Sequence, residues 1–193
     1  MKHLRAALTA FVLLTLLTGV VYPLSITAIG QLLFPVQANG SLIIRDGQIV
    51  GSSLVGQTTD APAYFWGRPS AVNVMQGSSG AVIASGATNS GWTSVTLAEQ
   101  VAARGAALRA AHGLSADETI PAELLFASAS GIDPHISPEG AALQIDRVAA
   151  ARGLDRARVE ALVAEHTEMP QFGFLGMPRV NVLLLNLALD SIE

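Results

Sequence analysis

Residues Ala6–Tyr22 read AALTAFVLLTLLTGVVY, and apolar sequence resumes after Pro23. No charged residue occurs between Arg5 and Arg45. A helix needs about 20 apolar residues to cross the hydrocarbon core of a bilayer, so this segment is long enough to span a membrane once. Proline is tolerated inside such a helix and predicts a kink near its own position. We therefore expect an N-terminal membrane anchor helix over residues 1–36.

A cleaved signal peptide is the competing interpretation of the same segment. Ala28-Ile-Gly30 resembles a small-x-small cleavage site, but signal peptides have apolar cores of about 7 to 15 residues and this run is longer. We favour the retained anchor. Lys2 and Arg5 precede the run, so the positive-inside rule predicts a cytoplasmic N-terminus and an extracytoplasmic domain.

Small and hydroxyl-bearing side chains in the anchor suit close packing against a partner helix. Lipid tolerates the same side chains, so the packing needs a test of its own. The anchor residues that we expect to contact lipid or a partner helix are Leu8, Phe11, Leu14, Thr15, Gly19, Tyr22 and Pro23.

Composition narrows the chemistry open to the rest of the chain. The 193 residues include no cysteine and a single lysine, Lys2, so thiolate metal sites, cysteine nucleophiles and the lysine of a phosphate-binding loop are excluded. From Arg45 onward the chain has nine arginines and fifteen acidic residues, a net charge of −6, which argues against nucleic acid as a partner. The four histidines are isolated in sequence, so we predict no metal site and no cofactor of the chain's own.

The sequence after the anchor predicts one mixed α/β domain over residues 37–193, and the whole chain an α+β class. Asp46-Gly47 lies between two short β-branched runs and predicts a hairpin. The apolar segment Val180–Leu189 alternates at period two and favours a strand, although a buried helix fits nearly as well. Capping signals predict four helices. They run from a Thr96–Glu99 capping box to about His112, over Ala122–Ala129, from a Ser137 cap to about Arg152, and from an Asp155 cap to about His166.

A long neutral segment, residues 61–98, carries one charge, Arg68. It is rich in small and polar residues, yet it contains Tyr64, Phe65, Trp66 and Trp92, and aromatic side chains favour burial. We therefore expect an ordered loop. The Arg68 guanidinium could clamp a carboxylate of a partner or donate to carbonyls of its own loop.

A serine, an aspartate and a histidine fall close together within Ser128–Pro138. A hydrolase triad is one interpretation, but nearness in sequence does not show convergence on an oxyanion hole. A turn at Asp133-Pro134 and a helix cap at Ser137 explain the residues without chemistry. We favour the turn and cap, with an interface role for His135 as the second interpretation.

The segment from Ser53 to Gln57, SLVGQ, could present backbone amides and a polar side chain to a phosphate. Such short glycine motifs bind phosphate in a strand-to-helix turn, usually with a lysine, which is absent here. A strand followed by a turn is the simpler interpretation. The candidate nucleotide contacts are Ser53, Gly56 and Gln57.

Six short segments along the chain carry a family resemblance. They are Tyr22-Pro-Leu24, Gly51–Gln57 (GSSLVGQ), Tyr64–Ala71 (YFWGRPSA), Ala127–Pro138 (ASASGIDPHISP), Phe174–Val182 (FLGMPRVNV) and Leu185-Asn-Leu187. Each is weak alone, but together they span nearly the whole chain. In this combination the chain resembles the C subunit of the Kdp-type potassium-transporting P-type ATPases of bacteria.

The resemblance implies a non-catalytic subunit of an ATP-driven, high-affinity potassium uptake pump in the bacterial cytoplasmic (inner) membrane. Its partners would be a potassium-channel-like subunit and an ATP-hydrolysing subunit, in addition to the lipid bilayer. The family is described as a catalytic chaperone that raises the ATP affinity of the hydrolysing subunit. ATP is scarce outside the cytoplasm, so we expect ATP to act through the complex and the domain to brace the channel-like subunit.

Motif positions rich in aromatic and arginine side chains are candidates for the partner interface, because interface centres favour Tyr, Trp and Arg. We expect Arg68, Asp133 and His135 there, with weaker support for Tyr64, Trp66 and Arg179. In the opposing interpretation the same residues only hold the loops of the domain together. The alternative function is an independent, membrane-anchored extracytoplasmic binding or chaperone module.

Overall fold

The computed structural model of the protein describes residues 2–72 and 84–192. It is mixed helix and sheet with one long apolar N-terminal helix, which confirms the predicted fold class. Contacts group the chain into two units, residues 1–52 and 53–193. The middle of the neutral loop, residues 73–83, lies outside the described residues, so its predicted order stays a prediction.

The first unit begins with a continuous apolar helix. It consists of α1 (Lys2–Leu16), a π-helical turn (Leu17–Val21) and α2 (Tyr22–Leu33). Within the described ranges, His3–Leu33 is the one helix long and apolar enough to cross a membrane, with a mean hydropathy of 2.0. Its 31 residues extend about 46 Å, more than the roughly 30 Å of a hydrocarbon core. A signal sequence has similar composition, and the length favours the anchor.

The helix is irregular one turn before Pro23. Proline has no N–H to donate to the carbonyl of Gly19, four residues earlier. Just upstream, the Tyr22 N–H donates to the carbonyl of Leu17, five residues back, which widens the helix into the π turn. Such single π turns occur frequently at functional positions of helices.

A short helix and a hairpin complete the first unit. They are α3 (Pro35–Ala38), β1 (Leu42–Arg45) and β2 (Gln48–Ser52), and the two strands pair antiparallel. Asp46 has a φ of 51° and Gly47 one of 76°. Two consecutive positive φ angles define the primed turn that Asp-Gly favours, so the predicted hairpin is confirmed.

The second unit packs six helices of the described residues around a small antiparallel sheet. The helices are α4 (Val95–His112), α5 (Ala122–Leu125), α6 (Pro138–Ala142), α7 (Ile145–Arg152), α8 (Arg156–Glu165) and α9 (Val182–Leu189). The strands are β3 (His135–Ile136), β4 (Thr167–Glu168) and β5 (Arg179–Asn181), in the order β3-β5-β4. The fully buried side chains of the core include Phe65, Val148, Val159, Val180, Leu185 and Leu189.

Two helix predictions need correction at their ends. α4 begins after Ser94, whose hydroxyl accepts from the Leu97 N–H at 3.3 Å, so the predicted Thr96 capping box is wrong. α5 ends at Leu125 rather than Ala129, because Phe126 is extended and the Ser128 N–H donates to the Pro69 carbonyl. A tertiary hydrogen bond thus ends the helix early.

The predicted helix from Ser137 to Arg152 is two helices, α6 and α7, which break at Leu143-Gln144. Its predicted cap is correct, because the Ser137 hydroxyl accepts from the Gly140 N–H at 3.0 Å. The Asp155 cap of α8 is confirmed in the same way, by a 3.2 Å bond from the Ala157 N–H.

The C-terminal segment is a helix over most of its length, so the favoured strand is wrong beyond Asn181. The Asn181 side chain accepts from the Leu184 N–H at 3.1 Å and begins α9. Four residues of α9 are buried, and all its residues except Asn186 are apolar. The sequence therefore shows no polar face from which a helical period could be recognised. The expected burial of Trp92 is also wrong, because its side chain is 94% exposed at a turn that leads into α4.

The backbone of the neutral loop is held by two side-chain amides. Asn186 of α9 accepts from the Phe65 N–H at 2.8 Å and donates to the Phe65 carbonyl at 3.0 Å. Gln144 accepts from the Trp66 N–H at 2.7 Å and donates to the Trp66 carbonyl at 3.0 Å. Each amide therefore pairs with one residue as a neighbouring strand would. The Phe65 ring is completely buried in the core as a result.

Two arginines of α7 hold the loop residues just before Phe65. Arg147 donates to the Tyr64 carbonyl at 3.0 Å and stacks 4.1 Å above the Trp66 ring. Arg152 donates to the Ala63 carbonyl at 2.7 Å. Both guanidiniums replace strand partners that these residues lack, so residues 63–66 are ordered without regular secondary structure.

Arg147 also contacts His112 and contributes to its protonation state. The Arg147 Nε–H donates to His112 Nε2 at 3.1 Å, and His112 Nδ1 lies 2.9 Å from the Leu108 carbonyl. The ring is therefore neutral, with its proton on Nδ1. Burial, and then the charge of Arg147, hold the pKa of His112 below its ordinary value of 6.5. Burial lowers the pKa of Arg147 to about 10, so it stays charged near neutral pH.

Gln144→Ala should destabilise the protein, because it removes a completely buried side chain and leaves the N–H and carbonyl of the half-buried Trp66 without their partner. An unsatisfied buried group costs about 1–3 kcal/mol, so the thermal midpoint of the full-length protein in detergent should fall by roughly 5 °C or more. Gln100→Ala, at an exposed position of α4, is the matched control and should change little. Equal midpoints for the two variants would contradict this role of Gln144.

Candidate functional site

Four of the six predicted interface residues line one cleft of about 300 Å³. They are Arg68, Asp133, His135 and Arg179, and Glu123, Ser137, Glu139 and Met177 also line it. Four parts of the chain supply these side chains: the neutral loop, α5, the segment that leads through β3 into α6, and the start of β5 with the residues just before it. The fold therefore brings together residues that lie up to 111 positions apart.

Asp133 is the centre of this cleft. Its Oδ2 accepts from Arg68 Nη1 at 2.9 Å, and its Oδ1 accepts from the His135 N–H at 3.0 Å. The second bond is the Asx turn that Asp133-Pro134 predicts. The Arg68 and Asp133 side chains are 27% and 29% exposed, so the ion pair is open to solvent at one edge. The carboxylate that pairs with Arg68 thus belongs to the chain itself. The Nε atom of Arg68 is buried and has no hydrogen-bond partner among the described residues.

Backbone hydrogen bonds fix the loop that carries Asp133. The Gly56 N–H donates to the Ile132 carbonyl at 2.8 Å, and the Ser70 hydroxyl donates to the Gly131 carbonyl at 2.7 Å. A Cβ on Gly56 would lie 2.4 Å from the Asp133 carbonyl oxygen, so glycine permits this close approach. The cleft is consequently formed before any partner binds.

His135 and Arg179 lie side by side on paired strands. His135 pairs with Asn181 across β3 and β5, and Arg179 pairs with Glu168 across β5 and β4. Burial lowers the pKa of His135 below 6.5, and the positive charge of Arg179 adds to the effect, whereas Asp133 opposes it. Arg179 forms an ion pair with Glu168 at 2.8 Å. At neutral pH the cleft therefore combines a neutral imidazole with two ion pairs.

Tyr64 and Trp66 lie apart from this cleft and have partners inside the domain. The Trp66 indole donates to the Ala61 carbonyl at 3.0 Å and contacts the His112 ring edge-on. The Tyr64 hydroxyl donates to Asp190 at 3.4 Å. Their geometry fits the opposing interpretation, in which they hold loops together, and their interface role stays a prediction.

The serine cluster forms turns. The Ser128 hydroxyl accepts from the Gly131 N–H at 2.8 Å, and the Ser130 hydroxyl accepts from the Ile132 N–H at 3.2 Å. In residues 2–72 and 84–192 no hydrogen bond joins either serine to His135. The geometry is that of the favoured turn and cap rather than of a Ser-His pair.

The candidate nucleotide contacts pack against the Asp133 loop. The Gly56 N–H is already used by the Ile132 carbonyl, and the Ser53 carbonyl accepts from the Asn181 side chain at 2.8 Å. Gln57 lines a narrow crevice beside Arg68 and Asp133. The segment thus supports the cleft, and direct contact with nucleotide stays a prediction.

Sequence reasoning missed Gln144 and Asn186, which position Arg68 by fixing the two residues before Gly67. Asn186 was visible as a lone polar residue in an apolar run, and such a residue needs a partner when it is buried. Gln144 gave no comparable signal in the sequence, because the residues around it predict an ordinary helix. Its role depends on contacts 78 positions away.

Comparison with known proteins agrees with the resemblance. Residues 4–191 match the family model "KdpC: K+-transporting ATPase, c chain". A Potassium-transporting ATPase KdpC subunit from Sorangium cellulosum is 54% identical over 99% of this chain and 98% of its own length. Proteins of the same name from Dechloromonas aromatica and Gemmatimonas aurantiaca are 53% and 54% identical, over 98% and 100% of this chain and 97% and 94% of their own lengths. The chain belongs to the KdpC family, the c chain of K+-transporting ATPases.

Proposed function

We propose that this chain is a membrane-anchored accessory subunit that assembles and stabilises a potassium-transporting ATPase. The observation that carries the proposal is the cleft around Asp133, a preformed polar surface on a chain that also has a helix long and apolar enough to span a membrane. Preformed surfaces bind with a smaller loss of conformational entropy than mobile ones. A surface of this kind suits a constant structural contact rather than a reaction.

The anchor supplies the second contact of the proposed assembly. Its side chains are exposed along the whole helix, so lipid and the helices of another subunit can both cover them. Lys2 and Arg5 precede the helix, so the positive-inside rule supports a cytoplasmic N-terminus and a domain outside the inner membrane. There it would brace the potassium-channel-like subunit, whereas the ATP-hydrolysing subunit would act on the other side.

An effect on ATP affinity would be indirect in this arrangement. The amide of Gly56 is occupied, and the chain has no lysine beyond Lys2 to bind phosphate. We propose that the subunit raises ATP affinity by stabilising the assembled pump, through coupling between distant sites. The chain itself supplies no catalytic group in this proposal.

Arg68→Ala tests whether the cleft binds a partner. Co-purification in mild detergent with the other pump subunits should fall by about tenfold or more, since interface hot spots contribute about 2 kcal/mol or more. The thermal midpoint of the full-length chain alone should change by less than it does for Gln144→Ala, because the Arg68 ion pair is partly hydrated.

Arg156→Ala is the matched control, because Arg156 forms exposed ion pairs with Asp146 and Glu160 on the surface of α7 and α8. It should leave recovery of the complex unchanged. A large loss of stability with Arg68→Ala would instead assign Arg68 to holding the domain's own loops. Recovery of the wild-type chain alone, with no polytopic partner, would contradict the proposed function and favour an independent module.

The anchor is tested by Thr15→Leu combined with Gly19→Leu. A Cβ at Gly19 has no neighbour within 4 Å, so the isolated helix should accept both leucines. If a partner helix packs closely here, the variant should reduce recovery of the complex. Ala10→Leu is the control, because it lies about two and a half turns from Gly19, on the opposite face. Unchanged recovery of the double variant would show that this face contacts lipid.

A further inference from the structure

The connection between β4 and β5 exposes a cluster of large apolar side chains. Its members, from 50% to 86% exposed, are Met169, Phe172, Phe174, Leu175 and Met177, and we call them the Phe-Met loop. The sequence contains no charged residue between Glu168 and Arg179. Contiguous apolar surface of this kind marks interaction sites on soluble domains, because water contact with it is unfavourable.

The Phe-Met loop has a defined conformation despite its exposure. The backbones of Gln171 and Leu175 exchange two hydrogen bonds, of 3.0 and 2.9 Å, which close a tight hairpin. Phe172 and Gly173 turn the chain with positive φ angles of 56° and 82°. A bulky residue with positive φ is strained, and such strain often occurs at functional sites.

The base of the loop is fixed by the sheet. Glu168 and Arg179 are directly opposite on β4 and β5, and their side chains form the 2.8 Å ion pair. The loop therefore presents its phenylalanines in a prearranged geometry, and binding would cost little ordering.

Charge decides between a lipid surface and a protein as the occupant. Residues 53–193 contain eight arginines and fourteen acidic residues, a net charge of −6, and an anionic lipid surface repels such a domain. The loop has no cation of its own to offset this. Phenylalanine and methionine are enriched at the centres of protein interfaces, so the composition favours a protein.

The loop also continues into the cleft around Asp133. Met177, Pro178 and Arg179 line that cleft, so its rim and the end of the loop form one surface. A polar cleft beside an apolar projection matches the arrangement of a hydrophobic centre and a polar rim in protein interfaces.

We propose that the Phe-Met loop inserts into an uncharged apolar groove on another subunit of the potassium pump. The inference rests on the proposed function, because it takes the partner to be a subunit of that assembly. The loop supplies the apolar part of the contact, and the cleft around Asp133 supplies the polar part beside it.

The test combines Phe172→Asn with Phe174→Ser in the full-length chain, co-produced with the other pump subunits. Asparagine tolerates the positive φ of residue 172, so the hairpin should remain. Recovery of the complex in mild detergent should fall about tenfold or more, while the thermal midpoint of the chain alone stays unchanged. Trp92→Ser removes an aromatic residue that is 94% exposed outside the loop, and it should leave recovery unchanged.

Equal recovery of the loop variant and the wild type would overturn the inference and leave the proposed function intact. Failure of the wild type to recover any partner would overturn the proposed function, and the inference with it. A comparable loss with Trp92→Ser would also overturn the inference, because the effect would then follow from any exposed aromatic residue.

A second measurement distinguishes three possible binding partners of the Phe-Met loop: another pump subunit, lipid and a second copy of the chain. The chain has no cysteine, so Phe174→Cys gives a single site for an environment-sensitive fluorophore. The emission should shift to the blue in the assembled pump, and not when the chain alone is reconstituted in phosphatidylcholine nanodiscs. A blue shift in those nanodiscs would assign the loop to lipid, and a disulfide-linked dimer of the unlabelled Phe174→Cys chain, formed in the assembled pump when a mild oxidant is added, would assign it to a second copy. Either result would overturn the inference.

Discussion

The second unit depends on how the backbone of Phe65 and Trp66 is satisfied inside the core. Buried N–H and carbonyl groups must find partners, and no strand of the described residues pairs with Phe65 or Trp66. Gln144, just before α7, and Asn186, in α9, fill that need with their side-chain amides. Gln144 is itself completely buried and also donates to the Gly140 carbonyl, so its hydrogen-bonding capacity is used fully within the domain. Phe65 and Trp66, which lie outside any helix or strand, thereby become a fixed part of the domain.

The fixed backbone of Phe65 and Trp66 also determines the position of Arg68, which belongs to the proposed interface. Fixing Phe65 and Trp66 sets the path of the next residues, and Arg68 then meets Asp133 at 2.9 Å. The turn from Ser128 to Pro134 is held independently by Gly56 and Ser70, so both halves of the ion pair are prearranged. A subunit that stabilises a larger assembly benefits from such rigidity, because little ordering remains to be done on binding.

Local signals in the sequence were enough for the long apolar N-terminal helix, the Asp46-Gly47 hairpin and the caps at Ser137 and Asp155. Each of these depends on neighbours within a few residues. The incorrect or missing predictions concern features that depend on contacts between residues far apart in the sequence. α5 ends early because the Ser128 N–H donates a hydrogen bond to the Pro69 carbonyl. The sequence of α9 is apolar on nearly all sides, so its hydrophobic pattern does not show a helical period. The pairing of Arg68 with Asp133 spans 65 positions, and no local pattern predicts it.

Hydrogen–deuterium exchange on the full-length protein in detergent tests the central claim most directly. Amides opened only by rare local unfolding exchange slowly, so the hydrogen-bonded amides of Tyr64, Phe65 and Trp66 should be protected although they form no helix or strand. Asn186→Leu removes the partner of the Phe65 N–H and carbonyl, so it should raise exchange of these amides while exchange of α4 and of the N-terminal helix stays unchanged. Fast exchange of these amides in the wild type, or no change in the variant, would contradict the account.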